Sequence, residues 1–334
     1  MDARERQLRQ WLAGILQDSE ISLEAASSDA SFRRYFRIHF PDDKDRESLV
    51  VMDAPPEKEP VAPFVDVAQR LSGAGLHVPR ILAEDREAGF LLLSDLGRQT
   101  YLEAFAEQDS DSLLEAALEA LIRMQMHADP LGLPDYDRAL LERELALFPE
   151  WYLRAECGIS LSSKQQRHLD ELFEAIVGRS LAQASVFVHR DYMPRNLMLS
   201  QPLPGVLDFQ DAVRGPISYD PVCLFMDAFV SWPPQEVTAW LRHYHQRALA
   251  AGLPVPESEA RFLSDCRWMA TQRHLKVIGI FARICHRDGK PRYLADVPRF
   301  FSYLRDSAAA EPELGEGLER LFDSLPGHVA EPAS

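Results

Sequence analysis

The sequence predicts an α+β chain in two lobes: a small β-rich amino-terminal lobe over residues 1–95 and a larger, mainly helical carboxy-terminal lobe over residues 96–334. Three observations predict it. Strand-like runs cluster before residue 95, helical periodicity dominates after it, and 334 residues at 46% hydrophobic and 26% charged are enough to build two cores.

Residues 3–17 read as an amphipathic opening helix with Leu8, Trp11, Leu12, Ile15 and Leu16 on one face. Three strand-like runs follow: F-R-R-Y-F-R-I-H-F at 32–40, S-L-V-V-M at 48–52 and G-F-L-L-L-S at 89–94. A polar P-D-D-K-D-R turn between the first two predicts an antiparallel pair. Between them and the third run, a helix over 61–74 turns Phe64, Val67, Ala68 and Leu71 inward and stops near Gly73 and Gly75. After D-L-G at 95–97, helical patterns cover about 111–127, 138–154, 162–180, 234–251, 257–285 and 297–308. They are interrupted by a short β interlude, S-V-F-V-H, N-L-M-L-S and G-V-L-D-F, within residues 185–209. The tail from about Ala308 reads as loose, ending in Pro326, Gly327 and Pro332.

The formal charge is 36 − 52 = −16. Such a surface repels nucleic-acid phosphates and anionic lipid, which disfavours both as partners. No apolar run reaches the roughly 18–20 residues that would span a membrane, and the charged M-D-A-R-E-R start has no signal-peptide core. A cytoplasmic monomer acting on small molecules is expected. The four cysteines are widely spaced with no C-x-x-C, which argues against a disulfide framework or a thiolate zinc site.

The chemistry is concentrated in V-H-R-D-Y-M-P-R-N-L-M-L at 188–199 and G-V-L-D-F at 205–209. His189, Asp191 and Asn196 form H-x-D-x-x-x-x-N, and Asp208 opens a D-F pair at the next strand end. This set suits phosphoryl transfer from a nucleotide. Asp191 can accept a hydrogen bond from an incoming hydroxyl, while Asn196 and Asp208 offer oxygens to magnesium. Magnesium would also offset the negative field of the chain at the nucleotide. His189, closing an apolar strand, is read as holding the loop through hydrogen bonds.

The loop, the V-L-D-F strand and a small lobe running through L-L-L-S-D-L-G into a helical one resemble the aminoglycoside phosphotransferase and choline kinase family. The resemblance spans nearly the whole chain and implies a bilobal protein-kinase-like fold that uses ATP and Mg2+. Within that family, S-S-D-A-S-F-R-R-Y-F-R-I at 27–38, V-V-M-D-A-P-P-E-K-E at 50–59 and H-R-D-Y-M-P-R-N-L-M look like the bacterial anomeric sugar kinases of cell-wall recycling. Those enzymes phosphorylate N-acetylmuramate and N-acetylglucosamine at the C1 hydroxyl. The resemblance implies Asp191 as catalytic base, Asn196 and Asp208 as metal ligands, and adenine bonded to backbone near Leu93, Ser94, Asp95 and Leu96.

Two departures from the family pattern stand out. The phosphate-covering loop has no glycine, although Ser27, Ser28, Ala30 and Ser31 are small and Arg33 or Arg34 could add charge. The strand at 48–52 lacks the expected phosphate-binding lysine; between residues 27 and 95 only Lys44 and Lys58 are available. Lys58, Arg33 or Arg34 substitutes, or binding leans harder on magnesium. For the acceptor, Asp211 and Arg214 follow the metal ligand, and Gln272, Lys276 and Arg283 share one helical face that suits a sugar or its carboxylate. Other hydroxyl acceptors (aminoglycoside, choline or homoserine) and a nucleotide-binding pseudokinase stay open as alternatives.

Overall fold

The computed structural model describes residues 2–17, 21–27, 32–41, 43 and 46–323. In chain order the elements are α1 Ala3–Leu16, β1 Ser22–Ser27, β2 Arg34–His39, β3 Leu49–Asp53, α2 Ala62–Gly73, β4 Ile81–Asp85 and β5 Phe90–Ser94. Then come α3 Tyr101–Ala104, α4 Ser110–His127, α5 Arg138–Leu145, a wide π-type helix Phe148–Glu156 and α6 Ser163–Leu181. The chain continues with β6 Ser185–Val188, β7 Leu197–Met198, β8 Gly205–Val206, β9 Val213–Pro216, α7 Tyr219–Phe225 and α8 Pro234–Ala251. It closes with α9 Glu259–Asp288, α10 Val297–Ala310 and α11 Pro312–Phe322.

Two compact units result. The first is Met1–Ala117 with Arg195–Asp211, and the second is Leu118–Pro194 with Ala212–Ser334. This cut differs from the break expected at residue 95, and the backbone shows why. Thr100 bridges Met198 and His77 bridges Gly205, with the Leu199 N–H donating to Gln99 and the Val206 N–H to His77. These bonds return the β7–β8 hairpin to the first unit.

In the first unit the strands form an antiparallel sheet of order β1-β2-β3-β5-β4. Strand alternation sends Ile38, Val51, Phe90 and Leu92 to one face, where Leu8 and Leu12 of α1 meet them and Trp11 lies 5.6 Å from Phe90. Each fully buried leucine of this kind contributes about 1.5–3 kcal/mol. Asp2 caps α1 by accepting from the Glu5 N–H. The edge strands β1 and β4 are additions to the expected set. Ser-Leu-Glu-Ala-Ala-Ser and Ile-Leu-Ala-Glu-Asp carry few β-branched or aromatic residues, so pairing partners, not intrinsic propensity, make them strands.

The second unit is organised on α9, 30 residues long and buried on nearly all sides from Phe262 to Ile284. Its buried polar side chains include Gln272 and Lys276, which partners engage within the unit. The π-type helix packs against it at Gly279, where a Cβ would stand 2.4 Å from the Leu147 carbonyl carbon, so only glycine admits this approach. The single helix expected over 138–154 divides into α5 and the π-type helix, because Pro149 in its first turn has no N–H to continue the α ladder. The tail expected to be loose forms α11, with Leu314, Leu318 and Leu321 buried on one face, and Pro312 opens it. Pro326, Gly327 and Pro332 lie outside the described residues. Among the described residues no helix is long and apolar enough to cross a membrane.

Candidate active site

In the second unit β6 pairs antiparallel with β9 and delivers His189, fully buried, at its end. Asp220, at the start of α7 and fully buried, accepts from the backbone N–H of His189 at 2.7 Å and of Arg190 at 3.0 Å. Its carboxyl is pushed up to about 7 by burial, against the pull of those two donors. Arg190 adopts a left-handed backbone, φ 76°, which costs a non-glycine residue about 1 kcal/mol or more. Three contacts hold it there: the Asp220 bond, the Cys223 thiol donating to its carbonyl at 3.2 Å, and its guanidinium against Glu144 at 2.5 Å. The Asp191 N–H donates to His189 Nδ1 at 3.2 Å, so His189 accepts at that nitrogen, and Asp191 is half-buried.

Glu144 is the hub beneath this loop. It accepts from Tyr136 and Gln272, and it pairs with both Arg190 and Lys276, the latter at 3.3 Å. Burial works to raise its carboxyl, but Lys276 and Arg190 overcome that and hold it down at about 2. Lys276 also donates to the Tyr219 hydroxyl at 2.9 Å.

In the first unit Asn196 and Asp208 meet at the β7–β8 hairpin. The Asn196 side-chain amide donates to Asp208 Oδ2 at 3.5 Å, and the Leu207 N–H donates to the Asn196 carbonyl at 2.9 Å. Asp208 is exposed and left-handed, φ 61°. The Gln210 amide donates to its Oδ1 at 2.9 Å, while Gln210 Oε1 is buried without a partner among the described residues. Hard oxygens on adjacent amide and carboxylate groups, one of them open to water, are the donor chemistry magnesium takes. The residues fit that ion.

The nucleotide candidates separate by their partners. Arg34 pairs with Asp2 and with the fully buried Asp53, which Arg4 also holds. Arg33 pairs with Glu59 at 2.8 Å. Lys58 is exposed, and its ammonium stands 4.1 Å from the Phe32 ring centroid. Ser28, Ala30, Ser31 and Lys44 lie outside the described residues. Ser94 spends both its N–H and its hydroxyl on Arg80, so its donor is not open to a base as expected. Asp95 is tied to Arg37, Ser48 and the Gly97 N–H. Leu96 packs its side chain against Gly205, and its backbone groups have no partner among the described residues.

The acceptor candidates divide too. Gln272 and Lys276 do not form an accessible polar face: both are buried and engaged with Glu144, which draws them into the core. Gly279 on the same stripe serves the helix contact with Leu147. Arg283 is half-buried, its Nε is buried and unpartnered among the described residues, and burial lowers its pKa. Arg214 is exposed and pairs with Asp135 at 2.7 Å, and Asp211 is exposed. Glu144, Gln210 and Asp220 are the site-supporting residues that motif spacing leaves out. For Asp220 the signal was present in the Asp-Pro opening of α7.

Comparison with known proteins adds the family context. A family model described as "Phosphotransferase enzyme family" matches residues 22–261. The N-acetylmuramate/N-acetylglucosamine kinase of Pseudomonas aeruginosa is 56% identical over 336 residues, covering 97% of this chain and 98% of its own. The kinase of the same name from Neisseria meningitidis is 44% identical and covers 93% of each chain. Among solved structures, ADP-bound aminoglycoside phosphotransferase APH(2'')-Ib superposes with a TM-score of 0.61 at 14% identity, over 94% of this chain and 99% of that one. Choline kinase LicA from Streptococcus pneumoniae gives 0.62 at 14%, over 92% and 100%. At these identities the structural likeness is one of fold, and the fold is the protein-kinase-like α+β one.

Proposed function

The chain belongs to the phosphotransferase enzyme family, and from that premise we propose that it transfers the γ-phosphate of ATP to the anomeric C1 hydroxyl of N-acetylmuramate or N-acetylglucosamine, giving a sugar 1-phosphate for peptidoglycan recycling. The observation that carries the acceptor class is identity along almost the full length with kinases named for both sugars.

Asp191 accepts the hydrogen bond of the C1 hydroxyl, which is more acidic than other sugar hydroxyls, and takes its proton as the oxygen attacks. The new bond joins that oxygen to the γ-phosphorus. The bond that breaks joins the γ-phosphorus to the β–γ bridging oxygen, and ADP leaves. Asn196 and Asp208 hold Mg2+, which supplies neutralisation of the charge building on the phosphates. Asp220 and His189 keep the Asp191 loop in place through the bonds described above. Lys58 is our choice for the phosphate cation in place of the strand lysine. Its support is that Arg33 and Arg34 are committed to carboxylates, whereas Lys58 meets only an aromatic face among the described residues. Leu96 is our choice for the adenine contact, because its backbone groups are uncommitted. Of the three helical acceptor candidates, Gln272 and Lys276 are engaged with Glu144 and Arg283 is not, and we assign Arg283 to the carboxylate of N-acetylmuramate.

The test is turnover of the purified chain with ATP, Mg2+ and each sugar, with the phosphate position read by phosphorus NMR. A phosphorus signal coupled to the anomeric proton is expected. Phosphate on another hydroxyl refutes the C1 assignment. Nucleotide binding without turnover of any sugar replaces the kinase with a nucleotide-binding pseudokinase. Asp191→Asn is expected to cut turnover by about 10²- to 10⁴-fold and to spare nucleotide affinity. Unchanged turnover removes Asp191 as the base.

A further inference from the structure

We propose that Glu156, Cys285 and His286 form a site for a thiophilic divalent cation of the zinc class, separate from the magnesium pair. A carboxylate oxygen, the cysteine sulfur and an imidazole nitrogen from these residues all lie within 4.8 Å of one another. They come from two elements: Glu156 ends the π-type helix, and Cys285 and His286 stand in the last turn of α9. Those elements are held in tight register by the Gly279–Leu147 approach, so the ligands rest on a rigid pair and not on loops.

The donor set selects the metal. Sulfur, nitrogen and oxygen at one point suit Zn2+ and exclude Mg2+, which takes oxygen only. Tetrahedral Zn2+ holds such donors about 3.3–3.6 Å apart, so the His286–Glu156 pair, 2.7 Å apart, has to open slightly around an ion while the sulfur is drawn to it, which leaves one position for water. Glu156 and His286 are exposed and Cys285 is half-buried, which gives an ion access. The site also lies at the carbonyl end of the 30-residue α9, where the helix dipole favours a cation. Arg287 is nearby, and its charge is paired with Asp288 at 2.7 Å.

The plainer account is the His286–Glu156 contact at 2.7 Å. It explains two of the three groups and leaves the sulfur beside them without a reason. No C-x-x-C announces this site, because its ligands meet across two helices 129 positions apart in sequence, from Glu156 to Cys285.

The test is a Co2+ titration of the full chain, with Zn2+ as competitor and Mg2+ in excess throughout to fill the oxygen-donor pair. One Co2+ per chain with a thiolate-to-cobalt charge-transfer band, displaced by Zn2+, is expected. Cys285→Ser should abolish the band, and Glu156→Gln and His286→Ala should each weaken binding by about 10- to 100-fold. In the wild-type chain alone, Zn2+ should raise the thermal midpoint. Sugar-kinase turnover of the three variants, unchanged, certifies that they fold. No band in the wild-type chain, a band that survives Cys285→Ser, or a band lost on Cys157→Ser instead would each overturn the assignment.

Discussion

Lys58 and Arg34 differ in what each would lose. Arg34 closes an ion-pair group on the fully buried Asp53, so Arg34→Met removes half of the compensation for a buried charge and should lower stability. Lys58→Met leaves the fold intact and should raise KM for ATP about tenfold, the loss of one charge-assisted contact, with kcat for bound substrate little changed. Steady-state kinetics on both variants decide this, and an unaltered KM in Lys58→Met returns the anchor to another residue. Arg283→Met should raise KM for N-acetylmuramate about tenfold and leave N-acetylglucosamine unaffected, because only the former carries a carboxylate. An equal effect on both sugars denies Arg283 that role. The residues proposed to react were legible because Asp191 and Asn196 lie only five positions apart in one short segment, so their spacing survives in the sequence. Glu144 was not, since its partners Arg190 and Lys276 lie 46 and 132 positions away. The same distance hid the fate of Gln272 and Lys276: a polar stripe reads alike whether it faces solvent or a buried carboxylate.

The loop proposed to be catalytic rests, as an element, on one buried carboxylate. Asp220 needs both oxygens as acceptors, one for each backbone N–H. Burial raises its carboxyl to about 7 from an ordinary value of 3.8. Above pH 7 it is charged and both bonds stand; below, a proton occupies one oxygen and a bond is lost. Turnover should therefore climb between pH 6 and 8. Asp220→Asn should lower turnover by about tenfold and erase that acid limb; a limb that persists belongs to another group. The sign for stability is opposite. Between about pH 4 and 7 the folded chain holds a proton the unfolded chain has released, so this group disfavours folding as pH rises through that window. Among the elements, the central strands and long helices follow from their periodicity. The edge strands β1 and β4 follow from their neighbours, and the π-type helix follows from a proline whose effect is a change of winding and not a stop.

For the whole molecule, a formal charge of −16 sets the field any anion must cross. Raising ionic strength from about 10 to 150 mM shortens the Debye length from about 30 to 8 Å. The ratio of kcat/KM for N-acetylmuramate to that for N-acetylglucosamine should therefore rise, by about twofold, as repulsion of the charged sugar is screened. A falling ratio would mean that local positive charge outweighs the net. Lobe composition was legible from where strands and helices concentrate, but the cut between units was not, because β7 and β8 are two residues each and carry no periodicity. That return of Arg195–Asp211 to the first unit has a consequence for synthesis. Domains emerging from a ribosome usually fold in order, the amino-terminal one first. Here the first unit lacks its last hairpin until Asp211 has been made, and by then Leu118–Pro194 of the second unit is already out. The hairpin that arrives last carries Asn196 and Asp208, so a nascent chain acquires the pair proposed to hold magnesium only when its first unit becomes whole.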